Sequence, residues 1–66
     1  MLRTFKIPSA DRPRIERLAK QLGSPCKCGS TYDDGSKRRW FNCEIESSDD
    51  RMLGLMVMIG YADLRP

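Results

Sequence analysis

The side chains best able to do chemistry lie between residues 26 and 43: three cysteines, a short basic run and the chain's one tryptophan. Cys26-Lys27-Cys28-Gly29 with Cys43 invites a zinc reading, because thiolates are soft ligands that suit Zn²⁺. A structural zinc site needs one ligand more than this and a wider spacing within each cysteine pair. Here one residue separates Cys26 from Cys28 and there is no histidine, so Asp33 or a second subunit would have to complete the set. Free cysteine otherwise packs as a small hydrophobe. The expectation is therefore three reduced core thiols with no cofactor, and a zinc-stapled domain is kept as an alternative. A Cys26–Cys43 disulfide is disfavoured in a reducing cytosol.

The other cluster is Lys37-Arg38-Arg39-Trp40 with Lys27 nearby. An aromatic set among Lys and Arg on a sheet face can stack bases and hold phosphates. The same composition makes a protein-docking anchor, since Trp and Arg dominate interface hot spots. An RNP1-type motif is absent, and Glu44 and Glu46 continue the strand beyond Trp40.

Catalytic signals are lacking. There is no histidine, no glycine-rich phosphate loop and no G-x-S-x-G elbow. Asp33-Asp34 and Asp49-Asp50 have sufficient reasons to exist as turn and cap residues. Cys28 beside Lys27 is the one candidate nucleophile, and strand alternation sends the two side chains to opposite faces. No enzyme is expected.

The elements that must position these residues follow from pattern. Asp34-Gly35 lies between two strand-like segments and predicts a hairpin with a two-residue turn. That turn would set Tyr32 opposite Lys37, Thr31 opposite Arg38, Gly29 opposite Trp40, Cys28 opposite Phe41 and Cys26 opposite Cys43. Cys26, Cys28, Phe41, Cys43 and Ile45 would then face the core. Lys27, Gly29, Arg38, Trp40 and Asn42 would face outward, with Trp40 free to cover Gly29.

Leu2 to Ile7 reads as a strand with Phe5 and Ile7 inward, ended by Pro8. Ser9 or Asp11 can cap a helix in which Ile15, Leu18, Ala19 and Leu22 keep helical spacing, and Gly23 stops it. Arg12, Arg14, Arg17 and Lys20 form its solvated side. Ser47 to Asp50 begins a second helix by its caps and its Leu and Met content, although 51–60 also fits a strand. Its core stripe is read as Met52, Leu55, Met56 and Ile59. Leu53, Val57 and Met58 fall outside that stripe and suggest a self-association face for a homodimer. Tyr61 to Arg65 reads as a closing edge strand.

The whole is one α+β domain over 1–66, a small sandwich with two helices on one face of an antiparallel sheet. The element order, βαββα with a final β, is that of a compact ferredoxin-like βαββαβ. Sixty-six residues bury only about 60% of their unfolded surface, so such a chain leans on a staple or a partner. Net charge is +3, which permits an anionic partner without demanding one. Charges at Arg3, Lys6, Asp11, Arg12 and Arg14 stand where a signal peptide needs an apolar run, and no stretch is long enough for a membrane helix, so a cytoplasmic protein is expected.

The functional expectation is a small non-enzymatic regulator or inhibitor that docks on a larger, nucleic-acid-handling protein through Lys27, Lys37, Arg38, Arg39 and Trp40. A phage-type inhibitor of host machinery fits the size alone. Direct binding of single-stranded RNA or DNA by the same face is the alternative from another class.

Overall fold

In the computed structural model the described residues are 1–64. Strand β1 (Leu2–Pro8) leads through a 3-10 turn (Ser9–Asp11) into α1 (Arg12–Leu22). Two short strands, β2 (Lys27–Cys28) and β3 (Tyr32–Asp33), form the first arm of the hairpin, and β4 (Arg39–Glu46) forms the second. Helix α2 (Asp50–Ile59) and a short β5 (Ala62–Asp63) follow. All pairings are antiparallel, in the order β2-β4-β1-β5 with β3 also on β4. Arg65, the expected end of the last strand, lies outside the described residues.

Alternation on the two long strands makes the core. Phe5 and Ile7 of β1 and Phe41, Cys43 and Ile45 of β4 are buried, and their neighbours are not. Ile15 of α1 and Met52, Leu53 and Met56 of α2 close over the same apolar face. One face of the sheet is thereby covered and the other stays open. The segment 51–60 is helical because its ends are capped. Asp49 accepts a hydrogen bond from the Met52 N–H at 3.2 Å, and Gly60 takes the left-handed φ of 93° that a side chain would resist. Among the described residues no helix is long and apolar enough to cross a membrane.

Three expectations are corrected. The turn is not a two-residue one: residues 34–38 form a longer loop in which Asp33 and Asp34 accept from the backbone N–H groups of Gly35 and Ser36. Those side-chain bonds stabilise a wider turn than the tight form. The register therefore moves. Cys28, not Cys26, lies opposite Cys43, and Tyr32, not Gly29, lies opposite Trp40. From Cys28 to Tyr32 the chain takes four steps against three from Cys43 to Trp40, a one-residue bulge that turns Tyr32 to the outer face.

The second correction is Leu53, which is 7% exposed and belongs to the core, while Leu55 and Ile59 are only half-buried. Leu53 joins the core cluster that holds Ile15 of α1 as well as the sheet residues, and α1 touches α2, so the buried stripe takes in Leu53. The third concerns α1. Its Asp11 makes no side-chain cap and instead accepts a hydrogen bond from the Tyr61 hydroxyl at 2.8 Å. Arg12 is not merely solvated: it bonds the Gly29 carbonyl at 2.8 Å and lies 5.0 Å over the Phe41 ring, tying the helix start to the end of β2.

Candidate functional site

The open face of the sheet carries the side chains that alternate with the core: Thr4, Lys6 and Pro8 on β1, Tyr32 on β3, and Trp40, Asn42 and Glu44 on β4. The Pro8↔Trp40 and Lys6↔Asn42 pairs set Lys6 diagonally beside Trp40, within reach of a long side chain. The Lys6 ammonium lies 4.4 Å from the centroid of the Trp40 ring, and the Arg38 guanidinium lies 5.7 Å from it. The indole N–H donates to the Ser36 hydroxyl at 3.2 Å, which holds the ring against the loop. Tyr32 donates to the Asn42 side-chain oxygen at 2.7 Å and fixes the neighbouring row.

Lys6, Pro8, Arg38, Trp40, Gly60, Tyr61 and Ala62 together line a shallow groove of about 310 Å³. Its edges carry charge of both signs. Lys6 forms an ion pair with Asp34, and the hydrogen bond from Lys6 holds the Asp34 carboxyl well below the usual carboxylate range, with help from Ser36. At the β5 side the Tyr61 hydroxyl is pushed up to about 12, first by burial and then by its hydrogen bond to the Asp11 carboxylate.

The face divides along its length. Four residue steps along the strand take the chain from Trp40 to Glu44, about 13 Å at the usual rise. Lys27 sits opposite Glu44 at that far end, where Glu46 also binds the terminal amine of Met1 at 2.8 Å. Of the expected docking residues, then, the fold brings Arg38 and Trp40 together. Lys27 belongs to the mixed-charge end, Lys37 to the exposed loop, and Arg39 alternates to the other side of the strand, opposite Asp33. Lys6 completes the cluster and escaped the sequence reading, since only the β1–β4 pairing reveals it.

Val57 and Met58 of the expected self-association face are exposed, but Leu53 is not.

The thiols gather at the other end of the hairpin, beneath the sheet. Cys43 is buried, Cys26 and Cys28 are half-buried, and all three are free. Among the described residues no group of three cysteine, histidine or carboxylate side chains is arranged to hold a metal ion. Asp33, named as a fourth zinc ligand, stands across from Arg39 at the far end of the hairpin from the thiols.

No protein-family model matches the chain, and no curated protein or solved structure does either.

Proposed function

We propose that this is a small non-catalytic binding protein, a regulator or inhibitor that docks on a larger protein through the open end of its sheet. The anchor is Trp40, flanked by Lys6 and Arg38, and the groove toward Tyr61 and Ala62 receives a partner segment bearing carboxylates. The observation that carries this reading is the Trp40 ring with two of the protein's own cations over it. A stacking platform for bases needs an aromatic face free and repeated along a basic track. Here one tryptophan is already occupied, and carboxylates stand on the same face at Glu44 and Glu46. A protein side chain needs no free π-face. It can fill the groove while its carboxylate takes over the pairing of Lys6 or Arg38.

The strand order and the placement of the helices support a ferredoxin-like βαββαβ arrangement in which β2 and β3 act as one interrupted strand. In that arrangement the uncovered sheet face is the natural docking surface. A nucleic-acid-handling partner and a cytoplasmic setting belong to the same proposal.

The experiment follows Trp40 fluorescence. Single-stranded RNA and DNA oligonucleotides are titrated at low and near-physiological salt, and an acidic peptide with interspersed leucines is titrated alongside. The peptide is expected to give a saturable change that persists at the higher salt and disappears in Arg38→Ala. Saturable, steeply salt-dependent quenching by the oligonucleotides, with none from the peptide, would assign the face to nucleic acid instead.

A further inference from the structure

The structure assigns a modification site to the hairpin: we propose that Cys28 and Cys43 are an oxidisable pair, joined by a disulfide after a small-molecule disulfide such as oxidised glutathione reacts at Cys26. The two sulfurs of the pair lie 4.0 Å apart, and their residues are direct partners on adjacent antiparallel strands. Direct partners have Cα atoms about 4.5–5.5 Å apart, inside the range that a disulfide spans. Joining them therefore needs side-chain rotation and no strand movement. Cys26 is placed differently. It precedes β2, follows Pro25 and bonds back to Ser24, so it stands outside the ladder. Cys26 has no partner in the β2–β4 ladder, whereas Cys28 is held directly opposite Cys43.

Cys26, half-buried and outside the ladder, is the entry thiol. Its interaction with the Cys43 thiol lowers its pKa against the opposing effect of burial. Its hydrogen bond to Cys26, together with burial, pushes the Cys43 thiol far up, and burial raises Cys28. The thiolate is the nucleophile in exchange. The Cys26 thiolate attacks oxidised glutathione, forms a Cys26–glutathione disulfide and expels one glutathione thiolate, which takes a proton. Cys43 gives up its proton and attacks the Cys26 sulfur, expelling the second glutathione. Cys28 then attacks the Cys43 sulfur, and Cys26 leaves as a thiolate. Two protein thiols are oxidised and one glutathione disulfide is reduced to two thiols. The product staples the two-residue β2 to the centre of the sheet, in a chain whose size leaves it in need of a staple.

Trypsin reads the result directly, because cleavage after Lys27 and Arg39 leaves each cysteine on its own peptide, 21–27, 28–37 and 40–51. The reduced native protein is incubated with oxidised glutathione, its remaining thiols are alkylated, and the digest is weighed. The expected product links 28–37 to 40–51 and leaves 21–27 alkylated. Cys26→Ser, which alters a half-buried position, should slow the link several-fold and reach the same end point. Cys28→Ser should abolish that link and accumulate the Cys26–Cys43 species or glutathione on Cys26. A dominant link between 21–27 and 40–51 in the wild type, or no internal link, overturns the pair. An unchanged rate in Cys26→Ser overturns the entry role of Cys26.

Discussion

Truncating Leu53 should destabilise the protein strongly, whereas truncating Val57 one helical turn later should not. Leu53 is 7% exposed and packed in the core cluster, while Val57 is 63% exposed. Removing a buried leucine to alanine costs about 2–5 kcal/mol, part from lost transfer energy and part from the cavity left behind. A domain of 66 residues has a total stability of roughly 3–10 kcal/mol at the usual value per residue. Leu53→Ala therefore removes a large fraction of it. At about 4–8 °C per kcal/mol for a domain of this size, the melting temperature should fall by at least ~8 °C. Val57→Ala should stay within about 0.5 kcal/mol, because the site is solvated and alanine has the better helix propensity. Urea unfolding followed by Trp40 fluorescence separates the two, with the midpoint moving and the slope unchanged. Equal small shifts in both variants would refute the packing of α2 and return Leu53 to the surface.

Two further outcomes are expected. Asp49→Ala removes the cap on the Met52 N–H and the acceptor of the Ser24 hydroxyl, and should cost about 1 kcal/mol by thermal or urea unfolding. Asp49→Asn should recover most of that, and an Asn variant as damaged as the Ala variant would point to charge rather than capping. The Tyr61 hydroxyl is pushed up to about 12 from an ordinary value near 10, so the folded state favours the protonated phenol. Its contribution should be complete below pH ~10 and fade as pH rises toward 12. The stability gap between wild type and Tyr61→Phe should therefore narrow across that window, and a constant gap would exclude the Asp11 contact as its source.

What was legible in the sequence was what alternation and capping control. Phe5, Ile7, Phe41, Cys43 and Ile45 read inward from period two alone, and Gly23 and Gly60 ended their helices as glycines do. Asp49 headed α2 for the reason its type suggests, the orphan N–H groups of a first turn. The hairpin register was not legible, because Asp33 and Asp34 both had side chains able to open the turn, and nothing local chose between the two-residue turn and the longer one. Leu53 was not legible because a helix against a sheet alone would leave it out, whereas the core cluster it joins also holds Ile15 of α1. Lys6 was invisible for the same reason: 34 positions separate it from Trp40, and a strand pairing brings them together.

The energetics of the Trp40 cluster bear on the proposed docking role. Trp40 is half-buried, and Lys6 and Arg38 lie over its ring. A cation over an aromatic at an exposed site contributes only about 0.5–1 kcal/mol, and the Lys6–Asp34 ion pair stands at the rim in contact with solvent. An interface hot spot contributes about 2 kcal/mol or more. Displacing these cations therefore costs less than a well-packed tryptophan returns. The cations also need not be stranded, because an incoming carboxylate replaces the ring or Asp34 as their partner. A neutral apolar partner would bury Lys6 and Arg38 without that compensation, at the cost of an unpaired desolvated charge. On the proposed docking role, the cluster would discriminate by charge before it binds by area and would favour an acidic segment over a merely hydrophobic one.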